Sequence, residues 1–276
     1  MVIAIMQGRL VPPTDGRIQC FPREHWQEEF ALAAAAGLDA IEWIYDLYGA
    51  DVNPIATDDG LALIEALSAE SHVQIRSLCA DYFMEKPLVR ATEREVAERE
   101  ATLVWLLRQC AVAGISRVVL PFVDASRIDS DAELADVVAT LGHVLPELDT
   151  TGVELHLETS LPPDRFADTL ARLPHAKVKV NYDSGNSASL GYRPTDEFAA
   201  YGDRVGSVHI KDRVNGGGTV PLGSGDADFG ALFQCLADTA YRGDFVLQVA
   251  RGTASDEVAW ARRNREFVLA HRPPGA

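Results

Sequence analysis

The chain has 276 residues, 47% of them hydrophobic, and this length and composition fit one large globular domain with a sizeable buried core. Its formal net charge of −16 opposes binding to nucleic acid, because affinity for a phosphate backbone depends on clustered lysine and arginine. We therefore expect a small-molecule substrate and no nucleic-acid partner.

The cysteines and the apolar runs indicate a protein of the cytoplasm. The four cysteines are widely spaced and include no C-x-x-C pair, which is typical of reduced thiols. The first apolar run ends at Gln7 and is shorter than the h-region of a secretory signal, about 7–15 residues. Since no run approaches the roughly 18 apolar residues of a membrane span, we expect no membrane partner.

Strand-like and helix-like segments alternate along the chain. Eight apolar segments are predicted to be strands: VIAIM, LDAIEWI, VQIRSLC, SRVVLPFV, VELHLE, KVKVNY, VGSVHI and DFVLQV. The segments between them have apolar residues at helical spacing, and several end in glycine. This eightfold alternation favours a single-domain α/β fold, a (β/α)8 TIM barrel, over the doubly wound sheet that the same pattern allows. We predict one domain over residues 1–272 and a C-terminal tail over 273–276.

Four successive predicted strands end in polar residues, namely Glu158, Asp183, His209 and Gln248. In a parallel barrel these ends converge on one mouth, so the four side chains are expected to meet. Two carboxylates, one imidazole and one amide oxygen suit Mn²⁺, Mg²⁺ or Co²⁺, and Zn²⁺ is also compatible. The sequence thus predicts a site for one divalent metal ion with these four ligands. Glu158 and Gln248 are also the predicted catalytic residues.

Further polar residues near the predicted mouth are candidates for binding the substrate. They are Gln7, Arg9, Glu42, Asp81, His156, Asn186, Lys211 and Arg251. The cations among them suit a phosphate or carboxylate group. The glycine-containing segment LGSGDAD is typical either of backbone N–H groups wrapped around an anion or of a plain connection.

Several segments resemble the xylose isomerase-like barrel superfamily of sugar and sugar phosphate isomerases and epimerases. They span essentially the whole chain and are IMQGRLVPP, IQCFP, IEWI, HLET, NYDSGN, VHIKDR, LGSGDADF and VLQVARG. The resemblance implies an enzyme that acts on a small sugar or sugar phosphate and forms homo-oligomers, dimers or tetramers. In this family strands five to eight supply a Glu, an Asp, a His and a second Glu to one divalent metal. The resemblance carries the first three onto Glu158, Asp183 and His209.

Gln248 departs from this pattern, because it stands where the family has its second glutamate. An amide oxygen can ligate a hard cation, but it cannot accept and return a proton as a carboxylate does. Epimerisation by two bases then needs another residue, for which Glu42, Asp81 and His156 are the candidates. Aldose–ketose isomerisation through an enediolate needs only one base. The sequence therefore favours isomerisation with Glu158 as the proton shuttle.

Three other functions stay open at this point. A lyase that dehydrates keto-sugars or inososes, or that cleaves C-glycosides, uses the same metal and enediolate chemistry. A DNA repair enzyme resembling endonuclease IV needs several more histidines near strands two to four, where only Glu42, Cys79 and Asp81 occur, and the acidic charge opposes DNA. A non-catalytic sugar-binding protein is the alternative that Gln248 itself suggests.

Overall fold

Eight parallel strands close into a barrel in the structure, a computed structural model that describes residues 1–253 and 255–271. In chain order the strands are β1 (Ile3–Met6), β2 (Ala40–Ile44), β3 (Gln74–Cys79), β4 (Arg117–Phe122), β5 (Glu154–Thr159), β6 (Val178–Asp183), β7 (Val205–Ile210), β8 (Asp212–Arg213), β9 (Thr219–Val220) and β10 (Asp244–Leu247). The barrel order is β1-β10-β7-β6-β5-β4-β3-β2, and β8 and β9 form a separate antiparallel pair. The predicted TIM barrel is confirmed. The predicted tail over 273–276 lies outside the described residues.

Some helices begin or end at capping signals that the sequence carries. They are α1 (Glu28–Ala36), α2 (Asp58–Ser71), α3 (Tyr82–Glu85), α4 (Glu93–Val112), α5 (Asp131–Thr151), α6 (Pro163–Arg172), α7 (Ser184–Leu190), α8 (Pro194–Tyr201), α9 (Phe229–Asp238) and α10 (Glu257–His271). The Thr92 and Glu95 side chains form a capping box at the start of α4, and Gly152 ends α5 in the left-handed conformation. Within the described ranges, no helix has both the length and the apolarity that crossing a membrane requires.

Polar side chains continue down the interior of the barrel, below the mouth. Near the N-terminal ends of the strands, Arg76 Nε lies 2.7 Å from the buried Asp244 Oδ2, and Arg117 contacts the same carboxylate. Higher up, His156 Nδ1 lies 2.7 Å from Ser207 Oγ. Buried charge is costly unless it is paired, so these contacts let a polar interior lead up to the site.

Candidate metal centre and active site

Three residues at or near the C-terminal ends of β5, β6 and β7 bring their donor atoms together. Glu158, Asp183 and His209 each offer one ligand atom, and these atoms lie within 4.8 Å of one another. His209 Nδ1 is 3.2 Å from Glu158 Oε2 and 3.8 Å from Asp183 Oδ2. Two donors on one cation, each at about 2.1–2.3 Å, are separated by at most about 4.6 Å. The distances from His209 Nδ1 to the two carboxylate oxygens, 3.2 and 3.8 Å, are inside this limit and fit a divalent ion.

The ring of His209 is held so that one nitrogen faces the two carboxylates. His209 Nε2 lies 2.7 Å from Glu42 Oε1, and both side chains are fully buried. Among the described residues, Nδ1 has no hydrogen-bond partner of acceptable geometry. In the neutral imidazole that a metal ion requires, Glu42 favours the proton on Nε2, which leaves the Nδ1 lone pair directed at Glu158 and Asp183. A carboxylate behind the ring is the usual arrangement for a metal-ligating histidine.

The pKa values of the centre reflect its excess of negative charge. Burial alone would lower the pKa of His209, but Glu42, Asp183 and Glu158 outweigh burial and raise it well above its ordinary value. Burial would raise the pKa of Asp183, yet Lys211 and His209 hold it well below its usual range. Three carboxylates around one imidazole thus form an environment that favours a cation.

Two asparagines fix the orientation of the Glu158 carboxylate. Asn181 Nδ2 donates to Glu158 Oε2 and Asn186 Nδ2 donates to Oε1, both at 2.7 Å. Asn186 is itself placed by Asp183, whose Oδ1 accepts the Asn186 backbone N–H at 2.8 Å and caps α7. Asn181 is not among the site residues predicted from the sequence, although its alternation with Asp183 along β6 was an available signal.

Lys211 and Gln248 complete the floor of the site. Lys211 Nζ lies 3.3 Å from Asp183 Oδ2 and donates to Gln248 Oε1 at 3.1 Å. The lysine stem passes closely over Gly185, where an added Cβ would lie 2.6 Å from Lys211 Cγ. Glycine is needed there because any side chain would push the ammonium away from these oxygen atoms.

A cavity of about 330 Å³ opens above this centre. Five predicted site residues line it: Asp81, Glu158, Asn186, Lys211 and Gln248. Its size falls at the lower end of the range for small-molecule sites, roughly 300–1,000 Å³. A larger groove, about 1010 Å³, lies at the N-terminal end of the barrel between α2 and the start of β4. None of the predicted site residues lines that groove, so the smaller cavity is the candidate site.

Three of the predicted substrate-binding residues lie below or behind the cavity. Gln7 is fully buried, and its Oε1 accepts the Ile44 backbone N–H at 2.9 Å. Glu42 is behind His209, as described above. His156 faces the interior like Glu158, but it precedes Glu158 by two residues and therefore lies about 6.6 Å deeper.

Arg9 and Arg251 hold the loop that follows β1. Arg9 Nε donates to the carbonyl of Val249 at 3.0 Å, and Arg251 Nη1 donates to the carbonyl of Val11 at 2.9 Å. Neither arginine lines the cavity. The loop they hold carries Gln19, which lines the cavity and is not among the predicted site residues. No local pattern marks it, because its partners are distant in the chain.

The LGSGDAD segment wraps an anion that belongs to the chain itself. Asp212 Oδ2 accepts the backbone N–H groups of Gly223 and Gly225 at 2.8 and 2.9 Å, and its Oδ1 accepts that of Ala227 at 3.1 Å. The Asp212 side chain therefore occupies the position that the sequence left open for a bound anion.

A family model described as "Xylose isomerase-like TIM barrel" matches residues 30–271. The chain belongs to this family. The resemblance seen in the sequence motifs is confirmed.

Proteins that are similar to this chain include sugar epimerases. L-ribulose-5-phosphate 3-epimerase UlaE of Salmonella paratyphi A is 24% identical over 258 residues, 90% of each chain. Among solved structures, the IOLI protein with a bound zinc atom has a TM-score of 0.79 at 16% identity, covering 99% of this chain and 100% of that one. D-allulose 3-epimerase from Methylomonas sp., in complex with D-allulose, has a TM-score of 0.74 at 18% identity, with coverage of 98% and 97%. The structural likeness at these identities shows the shared fold.

Proposed function

We propose that the protein is a divalent-metal-dependent isomerase or epimerase of a sugar or sugar phosphate, working through an enediolate with Glu158 as proton shuttle. The observation that carries the proposal is His209 Nδ1, which is buried, faces Glu158 and Asp183, and has no hydrogen-bond partner among the described residues. A metal ligand is the role that satisfies this nitrogen.

The relatives support the same reaction class. UlaE is a 3-epimerase of L-ribulose 5-phosphate, and the Methylomonas enzyme is a 3-epimerase of D-allulose. Both reactions move a proton on a carbon next to a carbonyl group. Because the present chain shares their barrel and carries three carboxylate and imidazole donors at the mouth, a sugar carbonyl compound is the substrate class that we propose.

Each residue of the centre has a defined task in this proposal. Glu158, Asp183 and His209 hold the ion, with the Gln248 amide oxygen as a fourth ligand. When bound, a divalent cation polarises a substrate carbonyl and makes the neighbouring C–H group acidic. Glu158 removes that proton, and the amides of Asn181 and Asn186 keep its carboxylate aimed at the reacting carbon. Lys211, with its ammonium at 3.1 Å from Gln248 Oε1, fixes the amide with its oxygen inward.

Metal analysis followed by an NMR screen in D₂O tests the proposal. The panel contains D-allulose, L-ribulose, their phosphates, common aldoses and inososes, each incubated with Mn²⁺-loaded protein. We expect deuterium to enter one sugar at a carbon adjacent to its carbonyl. The sugar should otherwise keep its molecular formula. Loss of water or of an aglycone would instead identify a lyase. Sugar binding without any proton exchange would refute catalysis and identify a binding protein.

A further inference from the structure

Asp81 lies on the cavity wall across the barrel from His209 and has no task in the proposed function. Asp81 follows β3 in the chain. In the barrel order β3 is four strands away from β7, so Asp81 faces the wall that carries His209. Cys79 pairs with Val119 in β4, and Pro121 of β4 pairs with Glu158. Asp81 therefore lies at the height of Glu158, about 10 Å away around the wall at the usual strand spacing.

The hydrogen bonds of Asp81 leave its carboxyl group available for proton transfer. Its Oδ2 accepts from Gln19 Nε2 at 2.8 Å, and its Oδ1 accepts from the Cys79 thiol at 3.2 Å. Neither partner is a cation. Burial raises the pKa of Asp81 to about 6, and the nearby charges of Asp46 and Glu158 add to this effect. A carboxyl group that titrates near neutral pH can both donate and accept a proton.

Apart from Glu158, the other acidic residues that line the cavity either accept backbone hydrogen bonds or are exposed at its rim. Asp46 accepts the backbone N–H groups of Phe21 and Gly49, each at 2.7 Å. Glu85 and Asp124 are exposed at the rim, and Glu85 accepts the hydroxyl of Tyr48. The two remaining candidates from the sequence, Glu42 and His156, do not line the cavity.

We propose that Asp81 is the second acid–base residue of the site and works on the face of the reacting carbon opposite Glu158, so that the enzyme inverts that carbon. The inference rests on the proposed function. Glu158 takes the proton, and the C–H electron pair forms the C=C bond of the enediolate as the carbonyl pair moves to oxygen. Asp81 then gives its proton to the same carbon from the other side while the carbonyl reforms. Exchange of both carboxyl groups with solvent restores the starting state, and the other epimer reacts with the two roles reversed.

Asp81→Asn tests this role in D₂O with D-allulose and its C3 epimer, and with L-ribulose 5-phosphate and its C3 epimer. Asp124→Asn is the matched control, since Asp124 lines the same cavity at its exposed rim. We expect D81N to lose net epimerisation by at least about 100-fold, within the usual range for an acid–base group. We further expect D81N to retain deuterium exchange for the epimer whose proton faces Glu158 and to lose it for the other epimer. D124N should stay within about threefold of the wild type.

Two results would overturn the role of Asp81. One is epimerisation by D81N within about threefold of the wild type, and the other is equal loss of exchange from both epimers at normal metal content. If D81N does not fold, D81E replaces it, and exchange that falls equally for both epimers would again contradict the inference. A wild-type protein that exchanges no proton in any of these sugars would refute the proposed function itself.

Discussion

Replacing Glu42 by glutamine probes the part of the candidate metal centre that lies behind His209. The 2.7 Å contact between Glu42 Oε1 and His209 Nε2 is fully buried, so water cannot replace the lost carboxylate. Glutamine keeps the shape of the side chain, but its neutral amide oxygen raises the basicity of the imidazole less than the Glu42 carboxylate does. Loss of such a carboxylate lowers metal affinity about 10–100-fold, or about 1.4–2.7 kcal/mol. We expect E42Q to bind Mn²⁺ more weakly by this factor.

Calorimetric titration of Mn²⁺ into metal-free protein measures the effect. Glu29→Gln is the matched control, because Glu29 is also a fully buried glutamate, and its Oε1 accepts the Gly8 backbone N–H at 2.7 Å, away from the metal ligands. E29Q should bind Mn²⁺ within about twofold of the wild type, and thermal melting confirms that both variants are folded. If E42Q also binds within twofold, the inference that His209 ligates through Nδ1 is refuted.

Three further substitutions test other parts of the structure. Gly185→Ala would bring a Cβ within 2.6 Å of Lys211 Cγ and displace its ammonium, so steady-state kinetics should show kcat/KM at least about tenfold lower. Gln248→Glu places a carboxylate beside Lys211 and should tighten Mn²⁺ binding about tenfold by calorimetry; unchanged or weaker binding would contradict its placement at the ion. Burial raises the pKa of Glu29 to about 7 from 4.5, so its protonation stabilises the folded state at low pH and this contribution is lost as pH rises through that interval. Urea titrations at pH 4.5 and at pH 8 give the difference in unfolding free energy between the two pH values. This difference should be smaller in E29Q than in the wild type by up to about 3 kcal/mol, and the same difference in both proteins would contradict the raised pKa of Glu29.

The barrel strands and the convergence of the candidate metal ligands are the features that local sequence patterns predict well. Glu158, Asp183, His209 and Gln248 each lie at or just beyond the end of an apolar run, and a parallel barrel takes all such ends to one mouth. Their meeting therefore follows from the strand pattern and the fold class, without knowledge of any side-chain contact.

Depth within the barrel and contacts made by loops do not follow from local patterns. His156 shares the inward face of Glu158, and only its lower position along β5 removes it from the cavity. Gln19 is hydrogen-bonded to Gln248 and to Asp81, which are 229 and 62 positions away in the chain. These contacts can be recognised only in the closed barrel. The short helix α7, built from small and polar residues, has no apolar periodicity to reveal it.

Deuterium incorporation by the wild type and by Glu158→Gln, both loaded with Mn²⁺ and checked by metal analysis, tests the central claim most directly. The reaction uses the sugar that the wild type exchanges in D₂O, and the rate is followed by NMR at the carbon next to the carbonyl. Because Glu158 is the proposed base, we predict that E158Q incorporates deuterium about 100–10,000-fold more slowly at comparable metal content. Incorporation by E158Q at the wild-type rate would contradict proton transfer by Glu158.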